Sequence, residues 1–237
     1  MLFRNRKDAG QKLAEELKSH FATELDIRTE DVVVIGLPRG GVIVALEVSR
    51  QFGCPLDVIV SKKIPYPEQP EFAIGAVSSD DVIVLNPDIP HNLQWQQYLN
   101  QQHHDLLQFS RNLESEFYEA AGYAPTPLKG KTVFVVDDGI ATGMTAKAAL
   151  KAVRQRGAKT IILAAPVMSQ DSVDELAEYC DSVVPVYIPV RLNSVGQHYI
   201  DFTQTSNEQV IQAMRSSKSF STSPPTQNMH DFTEAKA

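Results

Sequence analysis

The chain has 237 residues, of which 43% are apolar, so its length and composition suit a single domain with a buried core and a tail. Its 29 acidic and 22 basic side chains give a net charge of −7, which argues against a general nucleic-acid surface, and no apolar run approaches the roughly 20 residues of a membrane helix. No apolar segment typical of a secretory signal follows the first residues, and the 2 cysteines lack metal-ligand spacing, so we expect free thiols and a cytoplasmic protein.

Apolar residues recur along the chain either in strand-length runs or at helical spacing, and glycines and prolines separate these segments. In chain order the pattern predicts a helix over Asp8–Leu25, a strand over Val32–Gly36, a helix over Val42–Phe52, a strand over Leu56–Val60, a β-ribbon over Ala73–Val77 and Val82–Leu85, a helix over Asn92–Ala121, a strand after Lys131, a helix up to Arg156, a strand over Thr160–Ala164, a helix over Asp171–Tyr179 and a strand over Val183–Ile188. Such alternation predicts an α/β fold, a Rossmann-like parallel sheet flanked by helices.

The composition changes towards the C-terminus. After about Ser216 the chain is rich in serine, threonine and proline and poor in apolar residues. A segment of this kind buries too little apolar surface to offset the entropy of ordering it. We therefore predict a single domain over residues 1–215 and a disordered tail over residues 216–237.

Two adjacent acids, Asp137 and Asp138, follow the apolar run that begins at Thr132. The run predicts a buried parallel strand, so the acids would lie at the carboxyl end of that strand, where ligands bind in open α/β sheets. Paired carboxylates suit sugar hydroxyls or a metal ion.

The loop after these acids consists of small and hydroxyl residues and leads into a predicted helix. Backbone N–H groups at a turn and at a helix N-terminus bind phosphate without a basic side chain. Thr142 and Thr145 offer hydroxyl donors, and Gly143 permits a tight turn, which can require a positive φ. As an alternative, Thr142 or Thr145 merely caps the helix. Together the acids and the loop predict a site for a phosphorylated sugar.

The run Val133–Thr145, with two acids, mixed residues and then Thr-Gly-x-Thr, resembles the signature of the type I phosphoribosyltransferases, which bind phosphoribosyl pyrophosphate. The resemblance covers roughly Val32–Phe202. It implies the fold of that family with a small C-terminal hood over about residues 189–204. The helix predicted over Asn92–Ala121 is longer than the usual connection in the family, so the resemblance implies an insertion over about residues 88–124. This insertion would cover the site, pack on the sheet edge or form a subunit contact.

Pro38-Arg39-Gly40-Gly41 follows the first predicted strand and resembles the pyrophosphate loop of the family. Glycines allow close backbone approach to the ligand, and Arg39 supplies a cation. In the family this loop often contains a non-proline cis peptide, which would fall between Pro38 and Arg39. A plain Pro-Gly turn is the alternative.

Lys62 and Lys63, which we expect to close the next strand, correspond to basic residues that face the pyrophosphate in the family. Alternation along a strand directs them to opposite faces, so one of the two is expected near the site. Beyond them, Pro65 to about Val77 would form a flexible catalytic loop that excludes water.

The pattern Val-Gly-x-x-Tyr-x-Asp-Phe, which ends at Phe202, resembles the hood of purine-salvage members. There a residue just before the pattern stacks on the base, and an acid reads the base edge. Leu192 or Asn193 holds the stacking position, which is usually aromatic, and Asp201 is the matching acid. His198 is either a catalytic base or a structural histidine.

The resemblance implies transfer of the 5-phosphoribosyl group from phosphoribosyl pyrophosphate to a nitrogenous base, with release of pyrophosphate. Asp137 and Asp138 would hold the ribose hydroxyls and, indirectly, Mg²⁺, while Arg39 with Lys62 or Lys63 would stabilise the leaving group. The residues expected to contact substrate are Pro38, Gly40, Gly41, Gly139, Ile140, Ala141, Thr142, Gly143, Met144, Thr145, Leu192, Asn193 and Asp201.

Two further expectations concern partners. Members of the family commonly form dimers, so the resemblance implies a homodimer without a nucleic-acid or membrane partner. The alternative to an enzyme is a non-catalytic protein of the same fold that senses phosphoribosyl pyrophosphate or a nucleotide.

Overall fold

A computed structural model describes residues 1–24, 31–87, 89 and 92–221 of the chain. The helices are α1 (Arg6–Glu24), α2 (Gly40–Phe52), α3 (Leu93–Ala121), α4 (Met144–Gln155), α5 (Gln170–Leu176) and α6 (Asn207–Ser221), with a short 3₁₀ helix at Val195–His198. The strands are β1 (Val32–Gly36), β2 (Leu56–Val58), β3 (Ser61–Tyr66), β4 (Gln69–Ser78), β5 (Ile83–Leu85), β6 (Thr132–Val136), β7 (Thr160–Val167) and β8 (Ser182–Tyr187). Most predicted elements are confirmed, with ends shifted by a few residues.

Five parallel strands form the central sheet in the order β2-β1-β6-β7-β8. Val34 of β1 lies beside Phe134 of β6, and Phe134 lies beside Ile162 of β7. Every residue of β1 is buried, because helices cover both faces of the sheet. The structure confirms the predicted α/β fold with a parallel sheet flanked by helices.

The two faces of the sheet support two separate cores. On one face α1, α2 and α6 contribute Leu17, Val48 and Met214, which belong to the same buried cluster as Phe134. On the other face the apolar side of α4 packs against the alternate residues of the strands. Since β1 and β6 run in parallel, their carboxyl ends meet at one edge of the sheet, next to the start of α2.

The strands β3, β4 and β5 form a separate antiparallel sheet, which confirms the predicted β-ribbon over Ala73–Val77 and Val82–Leu85. The segment that begins at Pro65 was predicted as a loop, but it forms a β-hairpin. The prolines suggested a loop, but Pro65 is accommodated at a register irregularity in the β3–β4 pair. Ile64, Ile74 and Val77 pack into a cluster with α3, which holds the hairpin in place. The core strand β2 ends at Val58, earlier than predicted.

Helix α3 packs against the edge of the central sheet, which is one of the alternatives for the insertion. Tyr118 Oη donates to the carbonyl of Val58 at 3.2 Å, and Tyr123 Oη donates to that of Leu56 at 2.7 Å. The carboxylate of Glu114 accepts from the N–H of Val60 at 2.9 Å. These side chains satisfy backbone groups of β2 and its extension that no neighbouring strand reaches.

Helix α6 was not predicted, and it runs through Ser216 to Ser221, so the predicted boundary at residue 216 was wrong. Val210, Ala213 and Met214 are buried at helical spacing and anchor the helix. Arg215 donates to the carbonyl of Ala120, which joins α6 to the end of α3. The remainder of the predicted tail, residues 222–237, lies outside the described residues.

Two smaller findings complete the fold. Cys54 and Cys180 are free thiols, as predicted. Over the described ranges, none of the helices has the length and apolar character needed to cross a membrane.

Candidate active site

Asp137 and Asp138 directly follow β6, at the sheet edge where β1 also ends. The N–H of Asp138 donates to Oδ1 of Asp137 at 2.8 Å. The N–H of Leu37 donates to the carbonyl of Val136 at 2.9 Å, which continues the pairing of the two strands to their ends. The acids are therefore held by the rigid part of the fold, as the apolar run before them predicted.

The pair carries an electrostatic cost. Burial, and then the charge of Asp138, raise the pKa of Asp137 well above its ordinary value. Burial also raises the pKa of Asp138, although the guanidinium of Arg6 opposes this effect. Two carboxylates this close favour a cation or a hydrogen-bond donor beside them, and such perturbed acids are typical of functional sites.

The loop after the acids is tied to the neighbouring strand β7 and to α5. The N–H of Ile140 donates to the carbonyl of Val167 at 2.9 Å, and the N–H of Ser169 donates to that of Ile140 at 3.0 Å. The hydroxyls of Ser169 and Ser172 both donate to the carbonyl of Ala141 at 2.9 Å. These hydrogen bonds give the loop a defined course.

Helix α4 begins at this loop without a side-chain cap, since Gly143 occupies the N-cap position. The φ of Gly143 is 70°, as predicted, and a Cβ there would also press on Leu176. The alternative in which Thr142 or Thr145 caps the helix was therefore wrong. Uncapped N–H groups at a helix start form an anion site, and Thr142 is exposed beside them.

The loop before α2 also fits its prediction. The Pro38–Arg39 peptide is cis, as the family resemblance implied. A Cβ on Gly40 would collide with Oδ2 of Asp138, and a Cβ on Gly41 would lie 2.8 Å from Cα of Asp137. Both glycines are therefore required by close contact, and the loop lies directly against the acidic pair.

The structure distinguishes the two lysines, which begin β3 and do not close a core strand as predicted. Burial lowers the pKa of Lys62, and the nearby charge of Arg39 lowers it further. The ammonium of Lys62 lies 4.9 Å from the ring centre of Phe109 on α3. Lys63 is exposed on the opposite face of β3. Of the two, Lys62 is the one beside Arg39.

The hood contacts the same region. Tyr199 Oη donates to the carbonyl of Asp138 at 2.6 Å. A Cβ on Gly139 would collide with the side chain of Val195, so the hood packs directly on the loop after the acids. The segment predicted as a hood therefore lies next to Asp138 and Gly139.

The three predicted base-reading residues have different surroundings. Leu192 packs partly into a small cluster with Tyr199, while Asn193 is exposed. Asp201 is exposed and accepts from the N–H and hydroxyl of Thr203. Nδ1 of His198 lies 3.3 Å from the carbonyl oxygen of Met1, which fits the structural alternative for this histidine.

Sequence reasoning missed Arg6, the first residue of α1. Its Nε donates to Oδ2 of Asp138 at 2.7 Å, and Nη1 donates to the carbonyl of Thr203 at 2.7 Å. The contact with Asp138 spans 132 positions in sequence, and the only local signal was a basic stretch before the helix. Nothing in a single sequence connects that stretch to the acids.

The arrangement thus combines acids, uncapped helix starts and cations at one sheet edge. The uncapped start of α4 and the Arg39 loop supply two anion sites, and the acidic pair lies between their loops. Lys63 lies exposed on the face of β3 opposite to Lys62, and Asn193 is exposed on the hood. The chemistry of the arrangement suits a ligand with phosphate groups at both ends and hydroxyls between them.

The comparisons with known proteins agree with this chemistry. A family model described as a phosphoribosyl transferase domain matches residues 3–191. A protein of Mycobacterium tuberculosis, named provisionally as a phosphoribosyl transferase, is 41% identical over 212 residues in strains H37Rv and CDC 1551. These residues make up 89% of this chain and 46% of that protein, so the chain spans less than half the length of the curated relatives it matches.

A solved structure extends the likeness to three dimensions. The crystal structure of TT1426 from Thermus thermophilus is 36% identical, with a TM-score of 0.73, and the match covers 91% of this chain and 99% of that one. The family model covers most of the chain and includes both loops and the acidic pair. The chain belongs to the phosphoribosyltransferase family and has the type I fold.

Proposed function

We propose that this protein transfers the 5-phosphoribosyl group from phosphoribosyl pyrophosphate to a nitrogenous base and releases pyrophosphate. The supporting observation is the contact of Gly40 and Gly41 with Asp138 and Asp137. It joins the loop expected to bind pyrophosphate to the acids expected to bind ribose. Because the two loops are neighbours, one substrate molecule can contact the Gly40 loop through its pyrophosphate and the acids through its ribose.

The roles follow from the chemistry of each element. The N–H groups at the start of α4, with Thr142 and Thr145, hold the 5-phosphate. Asp137 and Asp138 accept hydrogen bonds from the ribose hydroxyls and lie near the positive charge that develops on the ring. Arg39 and Lys62 stabilise the negative charge of the leaving pyrophosphate. The hood covers the reacting carbon and limits water.

Mg²⁺ fits this site as a shared ligand of protein and substrate. In the part of the chain that is described, no cluster of three or more His, Cys, Asp or Glu residues could hold a metal ion by itself. Mg²⁺ commonly binds through one or two carboxylates together with water and substrate phosphates. Asp137 and Asp138 supply such carboxylates, and a cation there relieves their repulsion. When bound, the ion neutralises charge on the pyrophosphate.

The acceptor is a nitrogenous base held under the hood near Leu192 and Asn193. A half-buried leucine offers an apolar surface to a planar base, and the Asn193 amide offers both a donor and an acceptor. This replaces the aromatic stacking expected from the family resemblance. We further propose that the protein acts as a homodimer in the cytoplasm, in nucleotide salvage.

The test is pyrophosphate release from phosphoribosyl pyrophosphate and Mg²⁺ across a panel of purines, pyrimidines and pyridines. We expect release with one class of base and none without Mg²⁺. The variant Asp137→Asn with Asp138→Asn is the matched control for contaminating activity. Absence of both release and binding of phosphoribosyl pyrophosphate would contradict the proposal.

A second candidate is a non-catalytic sensor of phosphoribosyl pyrophosphate or a nucleotide. The observation that favours it is the absence of an aromatic side chain at Leu192 and Asn193, where a base would stack. A sensor would bind phosphoribosyl pyrophosphate, with a rise in melting temperature, yet release no pyrophosphate with any base. The same panel therefore separates the two functions.

A further inference from the structure

The ends of β1 and β2 place Lys62 beside the loop expected to bind pyrophosphate. These parallel strands pair with Gly36 opposite Val58. Neighbouring strands lie about 4.8 Å apart, and they run in the same direction here. Arg39 follows Gly36 by three positions and Lys62 follows Val58 by four. Both cations therefore lie just beyond the carboxyl edge of the sheet, where the charge of Arg39 acts on Lys62.

The pairing of the hairpin decides which face of β3 Lys62 occupies. Lys62 lies opposite Val77 of β4, and cross-strand partners share a face. Val77 is fully buried in the cluster that packs on α3. The side chain of Lys62 therefore lies on the α3 face of the hairpin, whereas Lys63, one residue further on, is exposed on the other face.

On that face the ammonium of Lys62 lies over an aromatic ring. Its Nζ is 4.9 Å from the ring centre of Phe109. Among the described residues, no carboxylate forms an ion pair with this ammonium. A ring face attracts a cation within about 6 Å through its quadrupole. The ring thus stabilises the charge of Lys62 without neutralising it, as a carboxylate would, and the charge stays available to an anion.

Helix α3 is fixed on both sides of Phe109. Tyr98 Oη donates to the carbonyl of Pro65 in β3 at 2.6 Å, and Nε of Arg111 donates to that of Ser79 at 3.1 Å. Phe109 itself is 51% exposed, so it contributes little to the core. Single exposed apolar residues are common on protein surfaces. The contact with the ammonium, rather than the exposure of the ring, therefore points to a role in the site.

We propose that Phe109 is a positioning residue, which holds the ammonium of Lys62 beside Arg39 so that both cations bind the leaving pyrophosphate. The inference rests on the proposed function, because the anion belongs to phosphoribosyl pyrophosphate. Phe109 acts through Lys62 and does not contact the ligand. Helix α3, the predicted insertion, thereby contributes a side chain to the rim of the site in addition to packing on the sheet edge.

The first experiment needs no ligand. The ε-carbons of lysine are labelled with ¹³C, and the Lys62 signal is assigned with Lys62→Arg. Protons over a ring face are shifted upfield, so we expect this shift of the Lys62 ε-protons to be lost in Phe109→Leu and kept in Phe109→Trp. Leu93→Ala, at another exposed position of α3, is the matched control. Equal Lys62 shifts in wild type and Phe109→Leu would overturn the proposal.

The second experiment is calorimetric binding of pyrophosphate and of ribose 5-phosphate, each with Mg²⁺. In Phe109→Leu we expect pyrophosphate binding to weaken by about threefold to tenfold. Binding of ribose 5-phosphate should stay the same, because its phosphate binds at the start of α4. Phe109→Trp should restore the affinity for pyrophosphate, since it restores a ring face. Leucine keeps the apolar bulk at an exposed position, and thermal melting of each variant checks that it folds.

A double-mutant cycle isolates the contact. Lys62→Gln should weaken pyrophosphate binding, and Phe109→Leu should add nothing to that loss, because the ring then has no ammonium to hold. Additive losses from the two substitutions would contradict the proposal, since Phe109 would then act independently of Lys62.

The outcomes separate this inference from the proposed function. Wild-type affinity for pyrophosphate in Phe109→Leu would overturn the role of Phe109 and leave the function standing. Equal weakening for pyrophosphate and ribose 5-phosphate would also contradict that role, because it indicates a general disturbance of the fold. Absence of binding of both ligands by the wild-type protein would overturn the proposed function and the role of Phe109 together, and the ligand-free spectra would still test the contact itself.

Discussion

Among the described residues, two clusters of acids with little exposure differ in how their charge is balanced. Glu114 and Asp80 share the guanidinium of Arg156, at 3.0 and 2.8 Å, and Glu114 also accepts from Val60 and Ser79. We call this cluster the Glu114 junction. Each of its acids has a cationic partner. It joins α3, the turn after β4, the sheet edge and the end of α4.

The negative charge of Asp137 and Asp138 is balanced by fewer cationic side chains. Among the described residues the ion pair of these acids is the one with Arg6, which engages Asp138 and leaves Asp137 with a strongly raised pKa. A balanced cluster contributes to structure, whereas an unbalanced one costs stability and is retained where a ligand supplies the missing partner. The comparison therefore distinguishes a charge-balanced set of acids from one that has fewer partners than charges.

The largest effect is expected at the unbalanced pair. Asp137→Asn with Asp138→Asn should lower kcat/KM for pyrophosphate release by about 1000-fold or more, because the charge near the developing ribose cation is lost. Removal of the repulsion stabilises the fold, whereas loss of the ion pair with Arg6 destabilises it, so we expect a small net change in melting temperature. Activity assays and thermal melting of the same samples test both statements. Retained activity would remove the carboxylates from the mechanism.

The balanced junction should respond in the opposite way. Glu114→Gln leaves Arg156 with one acid fewer, so we expect the free energy of unfolding to fall by about 3 kcal/mol. Activity per folded molecule should persist. Urea denaturation is the measurement, with Glu119→Gln on the exposed side of the same helix as control. Equal stability of the two variants would contradict a structural role for the junction.

A substitution in the loop that touches the pair should affect binding more than stability. Gly40→Ala introduces a Cβ that collides with Asp138, so the affinity for phosphoribosyl pyrophosphate should fall by about tenfold or more, a loss of about 1.4 kcal/mol. Gly53→Ala, at the other end of α2, is the control. Gly53 has a φ of 62° and no neighbour within 4 Å of the position that a Cβ would take, so it should lose about 1 kcal/mol of stability but no affinity.

The pH dependence of stability gives the smallest and most specific test. The raised pKa values of Asp137 and Asp138 mean that the unfolded chain releases these protons first as the pH rises above 3.8. Their contribution to stability is therefore present below that pH and lost above it. Wild type should lose stability relative to the double Asn variant as the pH rises from about 4.

Asp8 should show the reverse trend. Although burial opposes it, hydrogen bonds from Lys12 and Arg4 lower the pKa of Asp8 from 3.8 to about 2. Its contribution is present above 3.8 and lost as the pH falls towards 2. Unfolding of Asp8→Asn and wild type, followed across this range, measures it. Parallel trends for the two sites would contradict the comparison.

The parts of the site that were predictable are those encoded by neighbouring residues. Asp137, Asp138 and Gly143 lie in one strand–loop–helix, so an apolar run, two acids and a glycine sufficed. The conformation of the Pro38–Arg39 peptide followed from the family resemblance alone. In each case the interaction partners are backbone groups or residues a few positions away.

The parts that were missed depend on distant contacts. The hairpin around Pro65 exists because Ile64 and Ile74 pack on α3, although its prolines favour a loop. The end of α6 is held by Arg215 on Ala120, although its serines favour disorder. Arg6 reaches Asp138 across 132 positions. A local pattern contains no information about such partners, so tertiary packing decided each of them.

The hydrogen bonds from Tyr118 and Tyr123 to β2 affect how copies of this chain can associate. An open edge strand is a template for strand addition, and therefore for aggregation. At the β2 edge, hydroxyls of Tyr118 and Tyr123 already engage the carbonyls that an incoming strand would need. At the opposite edge, β8 contains Pro185, which has no N–H to donate. Both edges of the central sheet therefore resist lateral extension, which leaves the helices, the hood and the β3–β4–β5 sheet as surfaces through which copies of the chain could meet.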